Sequence, residues 1–460
     1  YNWFTTTKNT ETTQMLIQTI LNKIHPLKSF VYKKVEFIAS SESSRAKLEV
    51  HIIPRSNSRP ICSCCQTKGS CYDTQNKREF DFIPFWGISV CLLYSPRRVN
   101  CMVCKAVKIE RIPWALGKSK ICNVTRLFLA HWAKKMSWKE TSRSFGFSWD
   151  TVFKSVKSIV DFGLKARSLD GVETVGVDEV KYKCGHKYLT LAYQIDKGKK
   201  RLLHIEKDRD TKSLDRFFNL LNPTRSKKIK VVCTDMWKAY LKSIRENTPQ
   251  ALNILDRFHI KKHLNEGVDK TRRKESNELL NSKKSAFELR QKEVRETTAL
   301  KSFKKEKFNA VHELSNSRWT LLKNAENLTE FQSMKLQQLL KTQLKSVKAY
   351  LLVADFEQFW NFEDIDQARQ FLEEWISKTM TSRIESMKDK AKMMRKHFEL
   401  IMNWHRAKGL HSSGVVEGLN TKVKLTVRKH YGFRELETQK VALYHQLGKL
   451  PEPELTHSFY

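Results

Sequence analysis

The chain has 460 residues, with 85 Lys+Arg against 49 Asp+Glu and a formal net charge of +36. That excess selects a polyanionic partner, nucleic acid ahead of a membrane surface, and no run of 18 apolar residues offers a transmembrane helix. Ten Cys, several in short-spaced pairs, suit a reducing compartment and a metal site better than disulfides. The length suggests about three domains. The N-terminus lacks the apolar core of a signal peptide. Tyr1 is not an initiator, residues 1–14 are polar and expected to be unstructured, and Met15 is the expected natural start.

Residues 30–38 and 47–53 alternate apolar with polar side chains, the period of short strands. Cys62-Ser-Cys-Cys65 follows, then 35 intervening residues, then Cys101-Met-Val-Cys104. Two such knuckles place four thiolates tetrahedrally around one Zn²⁺, so residues 15–115 resemble a zinc-ribbon domain. The plain alternative is a set of buried free thiols. Cys64 and Cys71 are spare ligands, which leaves the choice of Cys62 and Cys65 less secure than that of Cys101 and Cys104. Phe80–Tyr94 reads as strands punctuated by Pro84 and Gly87, and Arg97 and Arg98 precede the second knuckle.

Residues 116–170 read as a helix-turn-helix domain. Val124, Leu127, Phe128 and Trp132 lie at helical spacing within Asn123–Lys135. Ser137 caps a short helix ending near Phe145-Gly146, and Ser148 opens a third with Val152, Phe153, Val156 and Ile159 on its apolar face. Trp149, Asp150, Lys154 and Lys157 would then face DNA. An ordinary helical hairpin is the alternative.

Glu173–Val180 reads as a strand carrying Asp178 at its centre, with Gly176 allowing a close approach. An unpaired buried carboxylate is unfavourable, and a metal ion is the usual remedy; an edge strand with Asp178 in water is the alternative. Strands follow at 187–195 and 201–206, a helix at 211–221, a strand at 230–234 running into Asp235, a helix at 236–245 and a strand at 252–255 ending at Asp256. This is the element order of an RNase H-like domain, in which the first and fourth strands are neighbours and Asp178 and Asp235 sit side by side. Farther on, Ser412 or Ser413 caps a helix with Glu417 in its first turns. Val416, Leu419, Val423 and Val427 form its apolar stripe. Glu417, Asn420, Thr421, Lys424 and Arg428 share the other face, with Lys424 and Arg428 roughly 10 and 16 Å beyond Glu417. A solvated amphipathic face is the alternative. Phosphodiester hydrolysis needs an activated water and a stabilised leaving oxygen, which two Mg²⁺ about 3.5–4 Å apart supply on few carboxylates.

At these residues the sequence resembles a bacterial insertion-sequence transposase of the DDE type, in the ISL3 family. The likeness runs from about Met15 to the C-terminus. It rests on the paired knuckles, Val107–Trp114, Gly176-Val-Asp-Glu179, Cys233-Thr-Asp-Met-Trp237, Leu255-Asp-Arg-Phe-His259, Ser412-Ser-Gly-Val-Val-Glu417 and Tyr431-Gly-Phe-Arg434. The resemblance implies a catalytic triad of Asp178, Asp235 and Glu417 holding Mg²⁺ or Mn²⁺, with Asp256 and His259 near it. Spacing alone does not choose between Asp178 and Glu179, and Cys64 departs from the family's first knuckle. The implied fold class is multidomain α+β: a zinc ribbon, a helix-turn-helix, and an RNase H-like catalytic domain at 171–260 and 405–445 interrupted by a helical insertion at 261–404. The 182-residue gap from Asp235 to Glu417 leaves room for that insertion, where Leu336, Leu339, Leu340, Leu344, Val347 and Leu351, then Phe371, Leu372 and Trp375, follow helical period. Lys283–Lys307 is dense in cations and is either a solvated helix surface or a DNA contact. The implied partners are the element's double-stranded DNA ends and its target DNA. The implied assembly is a homodimer or larger on DNA, in the bacterial cytoplasm. Two other classes remain open: a catalytically silent DNA-binding regulator, and a structure-selective nuclease.

Overall fold

A computed structural model describes residues 17–40, 46–85, 87–183, 185, 187–290, 314, 317–323, 325–407 and 414–454. The expectations for residues 1–14, for the Ser412 or Ser413 cap, and for the part of Lys283–Lys307 beyond residue 290 fall outside the described residues.

In chain order, helix α1 (17–24) precedes strands β1 (Phe30–Ile38), β2 (Lys47–Pro54), β3 (Ser70–Thr74), β4 (Arg78–Asp81), β5 (Ser89–Tyr94), β6 (Arg97–Cys101) and β7 (Ala106–Ile109). Helices α2 (Asn123–Lys135), α3 (Trp138–Phe145) and α4 (Trp149–Ala166) follow. Then come β8 (Thr174–Lys183), β9 (Lys187–Asp196), β10 (Lys199–Lys207), α5 (Thr211–Ser226), β11 (Val231–Thr234), α6 (Lys238–Asn247) and β12 (Leu252–Leu255). The remainder is helical: α7 (Arg257–Arg290), α8 (Arg318–Leu322), α9 (Glu330–Leu340), α10 (Lys345–Phe356), α11 (Ile365–Thr381), α12 (Glu385–Lys396), α13 (Phe398–Arg406), α14 (Gly414–Lys429) and α15 (Leu436–Leu447). The chain divides into two compact units, residues 1–168 with 421–460, and residues 169–420.

The first unit holds two small sheets where the sequence suggested a single ribbon domain. Strands order as β1-β2-β5-β4 in one sheet and β3-β6-β7 in the other. The four-stranded sheet has its own core, in which Phe30, Phe80 and Tyr94 set their rings edge-on to buried Trp114 at 5.1, 5.9 and 5.3 Å. Phe80–Tyr94, which lies between the knuckles in sequence, thus belongs to this sheet. Next to it Arg97 is buried against Glu110, its Nη2 2.8 Å and its Nε 3.1 Å from Oε2, while its backbone N–H donates to Oε1 at 2.7 Å. Burying that carboxylate is tolerable because charge and hydrogen bonds meet it together.

The three-helix segment folds as its caps dictate. Ser137 and Glu140 form a reciprocal capping box at α3, Gly146 ends it at φ 72°, and the Ser148 hydroxyl accepts from Thr151 N–H at 3.1 Å to start α4. The C-terminal segment joins this group: Trp138 packs against His430 and Phe433 at 5.0 and 5.7 Å, and Lys134 pairs with Glu452 at 2.6 Å. A Cβ on Gly163 would fall 2.6 Å from the Leu450 Cβ, so that glycine is what admits the tail. Residues 421–454 therefore pack with helices α2–α4, and the expected 405–445 segment divides between the two units.

The second unit is built on a five-stranded sheet ordered β10-β9-β8-β11-β12. Strands β8, β9 and β10 form an antiparallel meander, and β11 and β12 run parallel to β8. One core lies where Val175, Val177 and Val232 meet Phe217, Phe218 and Tyr240. A second fills the helical part, around Phe356, Phe359, Leu372, Trp375 and Met387. The leucine periodicity read across 336–351 is broken between α9 and α10, and its members Leu340 and Leu351 are exposed. Asn403 of α13 donates to the Asn253 carbonyl at 2.7 Å, tying the helices back to β12.

Candidate active site and metal centre

Strands β8 and β11 pair in parallel, Val231 to Thr174 through Cys233 to Gly176. The acids lie just beyond this register, Asp178 two residues after Gly176 and within β8, and Asp235 two residues after Cys233 and just past the end of β11. The next strand, β12, ends at Asp256. These three carboxylates line one small pocket with Thr234, His259 and Val416. Gly176 is indispensable beneath it, because a Cβ there would overlap a methyl of Val416 on α14. The close approach expected at Gly176 is made by that helix side chain.

Electrostatics in the pocket are dominated by burial. The Asp178 carboxyl is pushed up to about 6 by burial, with the charges of Asp235 and Asp256 adding to the rise. Asp235 is also raised by burial, against the backbone N–H of Trp237 and the nearby His259 and Arg209. Burial works against a charged His259, but its 2.8 Å hydrogen bond to Asp256 and the surrounding carboxylates raise it. A set of half-buried oxygens that resist ionisation, balanced in part by His259 and Arg209, has the chemistry of a site for a hard divalent cation.

Two neighbours of this pocket take roles that the sequence did not assign to them, Glu179 having been weighed there only as an alternative to Asp178. Asn420, read as part of a polar helix face, is buried; its Nδ2 donates to Asp178 and its Oδ1 accepts from Tyr193 Oη at 2.7 Å. Glu179 is pushed up to about 7 by burial and then by Asp235. It accepts from Arg209 at 2.8 Å, and that guanidinium lies 3.8 Å from the Trp237 ring. Residues 30 and 227 positions apart share no spacing signal, so only folding reveals such partners. The Trp237 in the quoted acidic motif was the one hint.

Glu417 occupies the first turn of α14 and is exposed. It stands three residues before Asn420, hence on the same side of the helix. Among the described residues, the oxygens of Asp178, Asp235 and Glu417 do not all fall within 4.8 Å of one another. The structure gathers Asp178, Asp235, Asp256 and His259 into one pocket and leaves Glu417 outside its lining.

The profile of an ISL3-type DDE transposase family, described as "Transposase", matches residues 175–443. The chain is 27% identical over 412 residues to the transposase for insertion sequence element IS1557 of Mycobacterium tuberculosis, covering 88% of this chain and 90% of that one. It is 24% identical over 407 residues to the transposase for insertion sequence element IS1001 of Bordetella parapertussis, covering 88% and 92%. The family match spans more than half of the chain and contains every acid of the pocket. The chain belongs to the ISL3 transposase family. That family's DDE type implies use of a divalent metal and action on DNA.

This transposase has a second cluster suited to metal. The Sγ atoms of Cys62, Cys65, Cys101 and Cys104 all lie within 4.8 Å of one another. Cys62 is 4.0 Å from Cys104, and Cys65 is 3.3 Å from Cys101. Tetrahedral Zn–S bonds of about 2.3 Å require S···S near ~3.8 Å, so the donor set fits. Backbone N–H groups of Cys64 and Cys104 point at the sulfurs of Cys62 and Cys101, and the Cys101 thiol is lowered to about 6, chiefly by the Cys104 N–H. The spare candidates Cys64 and Cys71 are exposed outside the cluster.

The residues expected to meet DNA are placed as follows. Trp149 is 45% exposed but its ring stacks on Phe153 and tilts against Trp138. Lys154 and Lys157 are exposed and pair along their own helix with Asp150 and Asp161, each at 2.6 Å. Lys424 and Arg428 are exposed on α14. No helix among the described residues is long and apolar enough to cross a membrane.

Proposed function

We propose that this transposase binds the terminal inverted repeats of its insertion sequence and cuts and joins DNA strands at the Asp178–Asp235 pocket. The observation that carries the reading is the pair of half-buried carboxylates on adjacent parallel strands, Asp178 within β8 and Asp235 just past β11, both raised above the ordinary carboxylate range. The strand order supports an RNase H-like catalytic domain. Asp178 and Asp235 would hold Mg²⁺ or Mn²⁺, with Glu417 as the third carboxylate; the bound ions would activate the attacking oxygen and stabilise the leaving one. The chain's own part is positioning. Asn420 and the Glu179 N–H fix the Asp178 carboxylate, and the Trp237 N–H, 3.0 Å away, fixes Asp235. His259, held by Asp256, moderates the acids' mutual repulsion. Cys62, Cys65, Cys101 and Cys104 would hold a structural Zn²⁺. Lys154 and Lys157 on the helix-turn-helix, and Lys424 and Arg428 on α14, would meet phosphates. Joining two DNA ends calls for at least a dimer on DNA.

The test is a magnesium-dependent nicking assay on DNA carrying the element's ends. Asp178→Ala, Asp235→Ala and Glu417→Ala should each lower strand cleavage by at least about a hundredfold while a gel shift shows end binding intact. Full activity in any one removes that residue from the site. The exposure of Glu417 is the single feature favouring a silent DNA-binding regulator, and a wild-type protein that binds ends but never nicks them would establish that reading.

A further inference from the structure

The second unit carries a groove that the cleavage chemistry does not use. Its floor is one face of α7, from Phe258 to Arg273, and its other wall is α8. That face runs for about 22 Å. The groove has a volume of about 710 Å³, within the ~300–1,000 Å³ typical of small-molecule sites. It is open, and its apolar surface is aromatic: Phe258 and Trp319 are 57% and 58% exposed. Two exposed rings lining one groove offer flat apolar faces on which a ligand can stack.

Cations rim these rings. Arg318 lies 5.2 Å from the Trp319 ring centroid, and Lys262, Lys270 and Arg273 border the groove. The two acids present are already engaged, Glu266 with Lys390 at 3.3 Å and Asp269 with Arg272 at 2.9 Å. Among the described residues Lys262 and Lys270 have no ion-pair partner. Net positive charge around flat, exposed rings matches one ligand chemistry: a nucleic-acid strand whose bases are unpaired, so that their faces are available to stack. A duplex hides those faces and would meet only the cations.

The groove also begins at the acid pocket. Phe258 sits between Asp256 and His259, its backbone N–H donates to Asp256 at 2.8 Å, and its ring lies edge-on to His259 at 6.0 Å. A strand leaving the acids along α7 meets Phe258 first and the Trp319 wall beyond it. We propose that the α7–α8 groove is a stacking site for unpaired DNA nucleotides next to the scissile position, with Phe258 and Trp319 as the platforms. It rests on the reading of the protein as a DNA-cutting enzyme.

The test uses the full chain without added magnesium and two probes: a short duplex ending in a single-stranded tail with 2-aminopurine in the tail, and the matched blunt duplex. The wild type should bind the tailed probe more tightly and change its 2-aminopurine fluorescence. Trp319→Ala and Phe258→Ala should each weaken tailed binding about fivefold or more, the loss expected for one base–aromatic stack, and leave blunt binding unchanged. Trp319→Phe should restore most of the preference. Both rings are more than half exposed, so truncation opens no core, and unchanged blunt binding certifies the fold. A wild type that binds both probes alike, or a Trp319→Ala variant that keeps the tail preference, overturns the proposal. A protein that nicks DNA yet ignores the tail loses only this inference; one that grips the tail but never nicks loses only the catalytic reading.

Discussion

Asp178 is a carboxyl that folding makes hard to ionise. In the unfolded chain an Asp titrates near ~4, while in the folded protein burial holds Asp178 near 6. The folded state therefore favours the protonated form. That preference is fully present below the unfolded value and is lost as pH rises through 6, where the buried carboxylate costs on the order of 2–3 kcal/mol. Asp178→Asn should accordingly raise the melting temperature at pH 8 and leave it nearly unchanged at pH 4, without added magnesium. Added magnesium should stabilise the wild type more than the variant. Thermal melts across this range check both points, and parallel pH profiles for the two proteins would refute the assignment. The sequence made Asp178 and Asp235 conspicuous, the first as an acid at the centre of an apolar strand and the second as the acid into which one runs. It could not show Asn420 or Glu179 in their roles, because a helix face and a strand neighbour acquire meaning only from what packs on them.

Helix caps and knuckles were legible because their chemistry is local. Ser137 and Gly146 bracket α3 and Ser148 opens α4 as predicted, since each satisfies backbone groups within four residues of itself. The cysteine pairs were equally local, but the choice among the four thiols around the first knuckle was not. Sulfur positions resolve it in favour of Cys62 and Cys65 over Cys64 and Cys71. The full chain should thus hold one zinc, lost in Cys65→Ser and Cys101→Ser but kept in Cys64→Ser and Cys71→Ser, as read by elemental analysis of purified protein. Retention of zinc in Cys101→Ser would discard the site. The leucine repeat across α9 and α10 misled for the converse reason: periodicity persists through a break, and nothing in it marks which residues lose their cover.

At the scale of the molecule, a net charge of +36 predicts binding dominated by counterion release. The affinity for duplex DNA should fall steeply with salt, by roughly 10³–10⁵ between about 50 and 200 mM if some 6–10 phosphates are met. Lys157→Ala should reduce the slope of log affinity against log salt by about one. An unchanged slope would place Lys157 away from the phosphates and leave its ion pair with Asp161 as its role. The division of the chain at residues 168 and 420 was not readable from composition. No Pro/Gly-rich linker marks it, and the C-terminal tail joins helices α2–α4 through contacts hundreds of positions away, such as Trp138 with His430.

The sequence by itself determined the family, the order of the elements, the knuckles and the strand-borne acids, because each is written in neighbouring residues whose period, caps or spacing act over a few ångströms. Tertiary structure alone decided which thiols converge and which amide holds Asp178. It also placed Glu417 outside the pocket lining and Phe258 and Trp319 along one groove. These depend on residues far apart in the chain being brought within a few ångströms by the packing of β8, α7 and α14, a distance that no local pattern encodes.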